Sequence, residues 1–262
     1  MKIKMIACAV AAAAVAAPAM ADTYDFSNPG DVAGWTVDRY APAGFASGVS
    51  FGGDERLQVT LSAADGPAGR PGAFSSAFYN TQGKSTVLAD ALVDTLAIDF
   101  YLDADYADDN SRGAGLWGVA TDGGANIVAY PIVEFTSDLA GGGPRFQGWD
   151  AATGWVGLGG PALTFNTWYN FSITLNGSNW DYQVTNLSNV SETWSAQVGS
   201  GGAAGIQSTI VQAYNLGVDK TYYFDNLTTG AVPEPTTWAL MILGFGSAGA
   251  VLRRRRLVVA RV

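Results

Sequence analysis

Carboxylates and aromatic rings are the side chains of this sequence that could do chemistry, because it has no histidine and a single cysteine, Cys8. Cys8 lies in an apolar N-terminal segment, so the rest of the sequence offers no thiol nucleophile, no Cys or His metal site and no Ser-His-Asp triad. Only three glutamates, Glu55, Glu134 and Glu192, precede the last thirty residues. Hydrolysis of a glycosidic bond needs two flanking carboxylates. Glu134 has no such partner on its own strand, so we interpret it as an outward-facing strand residue and disfavour catalysis.

The densest group of carboxylates follows a predicted strand and comprises Asp103, Asp105, Asp108 and Asp109. Hard oxygen ligands at this density suit a calcium ion. The spacing is not that of an EF-hand, because the sixth position is Asp108 instead of glycine. A solvated acidic turn is the alternative that we favour, and a calcium ion at this place would be structural. The sequence indicates no other cofactor.

Tryptophans are the second group of candidate residues. Trp149 and Trp155 flank a glycine-rich segment, which predicts that they lie on loops or at a sheet edge. An exposed ring can stack on the apolar face of a sugar, while neighbouring polar side chains bind its hydroxyl groups. Trp149, Trp155 and Trp117 are therefore candidate ligand-binding residues, with core packing as the open alternative. Trp168 and Trp180 are expected to lie in the core.

Alternation of apolar and polar residues dominates the chain between residues 22 and 231, and it predicts an all-β fold. Tyr169 to Leu175 and Trp180 to Val184 alternate on either side of Asn176-Gly177, which predicts a hairpin. Further strands are predicted at 57–61, 96–103, 127–135, 146–149 and 222–227, and 85–94 is a candidate for one short helix. We predict a single antiparallel β-sandwich of the jelly-roll kind over residues 22–231.

Two stretches of this region resemble known sandwich families. Asn166 to Leu175 resembles the strand that begins with Trp-Tyr in concanavalin/laminin-G-like jelly rolls. Tyr222 to Leu227 resembles the closing strand of the same sandwiches and of many carbohydrate-binding modules, and Tyr24 to Phe26 is expected to pair beside it. The resemblance implies a jelly roll and, through analogy of fold alone, sugar binding.

Residues 1–21 have the three parts of a secretory signal peptide. Lys2 and Lys4 precede an apolar run, and Ala19 and Ala21 supply the small side chains of a cleavage site. We predict that a signal peptidase removes this segment during export.

Residues 232–262 combine a short polar motif, a marginal apolar helix and a basic cluster. Pro233-Glu234-Pro235 is followed by the uncharged run 236–252, which is just long enough to cross a bilayer. The four arginines that follow are expected to stay cytoplasmic; they are Arg253, Arg254, Arg255 and Arg256. An ordinary single-span anchor is the alternative to a sorting signal.

The same residues resemble the PEP-CTERM sorting tail of Gram-negative bacteria. The resemblance implies that an exosortase recognises the tail and cuts near Pro233-Glu234-Pro235. Until then the helix would hold the protein in the inner membrane, and the product would reach the cell surface or an extracellular matrix.

The charge between residues 22 and 232 is strongly negative. This span holds 7 of the 14 basic and 22 of the 23 acidic residues, which gives a net charge of −15. Such a surface repels nucleic acid and excludes it as a partner. The leading hypothesis is a non-catalytic surface or matrix protein that binds extracellular polysaccharide. A purely structural matrix protein is the main alternative, and a glycoside hydrolase or lyase is the weaker one.

Overall fold

The alternating segments form sixteen strands. The computed structural model describes residues 22–89, 92–107, 112–124 and 126–230, and these belong to one compact unit. The strands are β1 (Asp22–Tyr24), β2 (Thr36–Val37), β3 (Gly44–Phe51), β4 (Asp54–Leu61), β5 (Thr81–Val87), β6 (Thr95–Leu102), β7 (Arg112–Thr121), β8 (Ile127–Ala129), β9 (Ile132–Thr136), β10 (Arg145–Asp150), β11 (Gly154–Gly157), β12 (Thr167–Asn176), β13 (Asn179–Asn186), β14 (Thr193–Gly199), β15 (Gly205–Tyr214) and β16 (Lys220–Gly230).

Short 3₁₀ turns are the helical elements among the described residues. They cover Ala63–Asp65, Gly72–Phe74, Ala77–Asn80 and Ala104–Tyr106. Within these same ranges, no helix is long and apolar enough to cross a membrane. The predicted signal peptide and the predicted sorting tail lie outside the described residues.

The strands pair into two antiparallel sheets of eight strands each. Sheet A has the order β14-β13-β12-β6-β16-β4-β3, with β1 paired to β16. Sheet B has the order β11-β10-β9-β7-β15-β5-β2, with β8 paired to β7. This arrangement confirms the predicted all-β sandwich. The expected pairing of Tyr24 beside the closing strand is also present, opposite Leu227.

The hairpin predicted at Asn176-Gly177 is formed by β12 and β13. Ile173 pairs with Tyr182, and Leu175 pairs with Trp180. Gly177 has a φ of 61°, which glycine adopts without the steric cost that a Cβ brings. Trp180 is buried in the core as expected.

Aromatic rings from both sheets meet in the core between them. The ring of Phe146 on sheet B lies 5.5 Å from that of Phe171 on sheet A, measured between ring centroids. Phe135 and Phe100 are also fully buried. Complete burial of one such side chain contributes roughly 1.5–3 kcal/mol, and these inner faces fix the separation and register of the two sheets.

Two sequence expectations were wrong. The described residues of the segment 85–94, which are 85–89 and 92–94, are not helical: β5 continues to Val87, and the backbone N–H groups of Leu88 and Val93 donate to carbonyls of the segment around β15. The predicted strand 127–135 is two strands, β8 and β9, because Pro131 interrupts it. Proline has no N–H to donate to a sheet ladder.

Strict alternation determines what the outer face of sheet B carries. On β9, Val133 and Phe135 point into the core between the sheets, so Ile132 and Glu134 point to the opposite side. We call that opposite side the outer face of sheet B.

Candidate ligand-binding face

The three tryptophans nominated from the sequence share the outer face of sheet B. Trp117 forms a small apolar cluster with Ile132 and Ile210, and Trp149 and Trp155 pack against it. Trp149 and Trp155 face each other across β10 and β11. Their ring centroids lie 5.1 Å apart with the planes at 69°, so the two rings are edge-to-face instead of coplanar.

Trp155 lies on the edge strand of sheet B, and Trp149 lies on the neighbouring strand β10. β11 is the outermost strand of sheet B, as expected for Trp155. The turn before it is tied by Asp150, whose carboxylate accepts hydrogen bonds from the Ala152 N–H at 2.9 Å and the Thr153 hydroxyl at 2.7 Å. From sheet A, the Tyr182 hydroxyl donates to the Trp149 carbonyl at 2.7 Å. These contacts hold both rings on a rigid part of the fold.

The three rings differ in their exposure. Trp149 and Trp155 are half-buried, which leaves part of each ring facing solvent. Trp117 is only 4% exposed, and the Arg39 guanidinium lies 4.4 Å above its ring centroid. The Trp117 ring is therefore covered and offers no stacking surface. Its Nε1–H is buried without a hydrogen-bond partner among the described residues.

Glu134 lies at the centre of a polar layer on this face. Glu134 points away from the core between the sheets, as expected of an outward-facing strand residue. Its side chain is nevertheless completely buried. Arg112 donates from Nε to Oε1 at 2.9 Å and from Nη2 to Oε2 at 3.3 Å. Gln147 Nε2 donates to Oε1 at 2.9 Å, and Gln212 Nε2 donates to Oε2 at 3.2 Å. Four donors from three strands thus replace the water that a carboxylate otherwise needs.

Gly115 makes room for this layer. It lies opposite Glu134 in the register of β7 and β9. A Cβ at this position would lie 2.4 Å from the Glu134 Cβ and 2.4 Å from the Val133 carbonyl oxygen. No larger residue fits without displacing Glu134.

Arg112 connects the polar layer to the aromatic rings. Its guanidinium carbon lies 4.7 Å from the centroid of Trp155 and 4.5 Å from that of Tyr214. Guanidinium groups are attracted to aromatic faces at such distances. Arg112 therefore covers Glu134 and at the same time fixes the position of Trp155.

Arg39 is the second cation on this face. Its Nε lies 3.3 Å from the Asp38 carboxylate, and its guanidinium carbon lies 4.5 Å from the Phe78 ring centroid. The pKa of Arg39 is lowered, mainly by burial. The nearby charge of Arg112 adds to this lowering, and Asp38 opposes it. Two guanidinium groups are thus held close enough to repel each other.

The carboxylates nominated for calcium are elsewhere. Asp103 and Asp105 line a cavity of about 550 Å³ at the edge of sheet A, together with Asp219 and Tyr223. One Asp103 oxygen accepts the Asp105 N–H at 2.9 Å and caps a 3₁₀ turn. Asp108 and Asp109 lie outside the described residues. Within the described part of the chain, no three His, Cys, Asp or Glu side chains come together to hold a metal ion.

The outer face of sheet A carries a separate aromatic cluster. Phe51 stacks on Tyr223, with the centroids 3.8 Å apart and the planes at 12°, and Trp168 packs against Tyr101. Trp168 was expected in the core, and this expectation was wrong. Its position on β12 alternates with the buried Tyr169, so it points away from the core.

Sequence reasoning missed the polar half of the candidate face. Arg112, Gln147 and Gln212 belong to three strands that are distant in the chain: β7 and β10 flank β9, which carries Glu134, and β15 lies beside β7. One signal was present in the sequence. Gln147 and Trp149 are two residues apart on β10, so recognising this strand places the amide and the ring on the same face.

The decisive observation on cellular destination comes from the C-terminal residues. A family model described as the PEP-CTERM protein-sorting motif matches residues 231–256. The chain carries a PEP-CTERM sorting motif. The match includes Pro233-Glu234-Pro235 and the four arginines. The PEP-CTERM motif implies an exported, cell-surface-directed protein that is processed by an exosortase.

Solved structures that are similar to this chain share little of its sequence. No curated protein matches the sequence. A functionally unknown protein from Saccharomyces cerevisiae has a TM-score of 0.47 at 9% identity, covering 76% of this chain and 97% of its own. An alginate lyase from Chlorella virus has a TM-score of 0.46 at 12% identity, covering 80% and 98%. Domain 4 of an extracellular arabinanase from Geobacillus stearothermophilus, solved with arabinotriose, has a TM-score of 0.43 at 10% identity, covering 81% and 93%.

Proposed function

We propose that this exported protein is a non-catalytic polysaccharide-binding protein of the cell surface or extracellular matrix, and that the outer face of sheet B is its binding surface. The observation that carries the proposal is the meeting of two half-exposed tryptophans, Trp149 and Trp155, with a rigid layer of arginine and glutamine side chains. Sugar rings offer apolar C–H faces and hydroxyl groups, and sites that bind them need both kinds of partner.

The state of Glu134 supports binding over hydrolysis. Each of its carboxylate oxygens accepts two hydrogen bonds, and the side chain has no exposed surface. An acid or nucleophile of a glycosidase must reach the scissile bond. Glu134 instead serves to position Arg112, and through Arg112 the ring of Trp155.

The test compares two matched tryptophan substitutions in a polysaccharide-binding screen. Trp155→Ala and Trp168→Ala each remove a half-buried ring that lies near an arginine, Arg112 at 4.7 Å and Arg56 at 5.0 Å, but on opposite sheets. We expect Trp155→Ala to weaken binding roughly tenfold or more and Trp168→Ala to leave it unchanged. Affinity electrophoresis against a panel of neutral and acidic polysaccharides measures both.

Two outcomes would contradict the proposal. If both variants lost polysaccharide affinity equally while circular dichroism showed both to be folded, the assignment of the binding surface to sheet B would be wrong. Absence of binding to every polysaccharide by the unaltered protein would favour the alternative of a purely structural matrix component.

A further inference from the structure

The cations of this domain are few, and three of them, Arg39, Arg112 and Arg145, lie on the proposed binding face. Only seven basic residues occur between residues 22 and 232, against 22 acidic ones. Arg39 covers Trp117, and Arg112 contacts Trp155. Each has one carboxylate neighbour, Asp38 or Glu134. These pairs make the face locally close to neutral on a domain whose net charge is −15, so a polyanion meets less repulsion there than the net charge alone implies.

Both guanidinium groups keep hydrogen-bond donors free. Arg112 uses Nε and Nη2 for Glu134, which leaves Nη1 without a partner among the described residues. Arg39 approaches Asp38 through Nε alone, so both of its terminal nitrogens are unused within the described chain. Together Arg39 and Arg112 therefore leave three guanidinium nitrogens free to donate to a ligand.

The two guanidinium groups are also held in place before any ligand arrives. Arg112 is fixed by two hydrogen bonds and two rings, and Arg39 lies over the rings of Trp117 and Phe78. Ordering a flexible arginine side chain at an interface otherwise costs conformational entropy, which weakens binding. A planar guanidinium with two free N–H groups matches the geometry of a carboxylate.

We propose that the ligand of this face is a carboxylate-bearing polysaccharide, a polymer of uronic acid type, whose carboxylates pair with Arg39 and Arg112 while a sugar ring packs on Trp155. The proposal rests on the proposed function, and it adds the chemical class of the ligand and the two residues that select it.

The experiment uses one polymer in two charge states. The full chain, produced with its signal segment in a Gram-negative host and purified in detergent, is titrated with polygalacturonate and with the same polymer after methyl esterification. We expect polygalacturonate to bind at least tenfold more tightly at 50 mM salt. Because ionic contacts are screened by salt, we expect this preference to shrink at 500 mM.

Two substitutions with the same change in charge locate the effect. Arg39→Gln removes a cation from the outer face, whereas Lys84→Gln removes one from the opposite side of sheet B, where Lys84 lies 5.3 Å from the Phe45 ring centroid. We expect Arg39→Gln to lower affinity for polygalacturonate about tenfold without affecting the esterified polymer. Lys84→Gln should change neither affinity by more than about twofold, the range expected for a surface substitution.

The outcomes separate the two proposals. Equal affinity for both polymers, or equal loss in the two variants, would overturn the ionic selection and leave polysaccharide binding intact. Binding to neither polymer, nor to any other polysaccharide, would overturn both proposals together.

Discussion

At the scale of single residues, Arg112 holds the outer face of sheet B together. Glu134 is completely buried, and Arg112 supplies the only opposite charge within salt-bridge distance of it among the described residues. A buried carboxylate that loses its partner cannot regain hydration without opening the fold. The face thus depends on this pair for stability as well as for the placement of Trp155.

The first prediction concerns that pair. We expect Arg112→Ala to lower the free energy of unfolding by about 3–5 kcal/mol, because it leaves the Glu134 charge buried and uncompensated. Urea denaturation followed by tryptophan fluorescence measures the change. The double variant Arg112→Ala/Glu134→Gln serves as the control: with the charge removed, it should be more stable than Arg112→Ala alone. A double variant as unstable as the single one would show that the charge is not the cause.

The burial of Glu134 illustrates what the sequence could not show at this scale. Alternation on β9 predicts the side of the sheet to which Glu134 points. Its burial depends on Arg112, Gln147 and Gln212, which come from other strands and approach only after the sheet has formed. The same holds for Trp117, which Arg39 covers from a loop outside the sheet's central strands.

At the scale of elements, local patterns predicted the strands that alternate strictly. The hairpin of β12 and β13 has both a period of two and an Asn-Gly pair at its turn, where Asn176 ends β12 and Gly177 begins the loop, so its position followed from sequence alone. The segment 85–94 has an irregular pattern, and its first three residues, 85–87, are strand because β5 pairs with β15. Pairing between distant strands overrides weak local preference, and this is why the predicted helix was wrong.

The pairing of β16 with β6 brings two carboxylates together on the outer face of sheet A. Asp225 lies directly opposite Asp99, and the Asn226 amide donates to both, at 3.1 Å and 2.9 Å. Arg56 pairs with Asp225 and with Asp54. Burial raises the pKa of Asp225 to about 6, with Arg56 opposing the rise and the charges of Asp99 and Asp54 adding to it. Burial also raises the pKa of Asp99.

The second prediction is a loss of stability as the pH rises. A carboxyl group whose pKa is higher in the folded state binds its proton more tightly there than in the unfolded state. Its contribution to the free energy of unfolding is therefore full below pH 4 and is lost as the pH rises through about 6. Asp225→Asn abolishes this titration. We expect the unaltered protein to lose stability relative to Asp225→Asn between pH 4.5 and 7, measured as Tm of both proteins across that range. A constant difference in Tm would contradict the assignment to Asp225.

At the scale of the whole molecule, folding and destination belong to separate parts of the chain. The strands and the core lie within residues 22–230, whereas the sorting motif occupies residues 231–256. The motif could be recognised from sequence because it is defined by the order of residues that are contiguous in the chain. The binding face could not, because its residues are gathered from β7, β9, β10, β11 and β15.

The third prediction follows from this separation. Replacing Pro233, Glu234 and Pro235 with alanines should block processing in a host that contains an exosortase, because the recognised motif is lost while the domain is untouched. The unprocessed protein should retain its tail, stay with the membrane fraction and bind polysaccharide as before, as measured by mass spectrometry of each fraction and by affinity electrophoresis. Deletion of residues 257–262, which lie beyond the matched motif, is the control and should leave processing normal. If the alanine variant were cut and released like the unaltered protein, Pro-Glu-Pro would not be the recognised element, and the apolar run with its arginines would have to carry the sorting information instead.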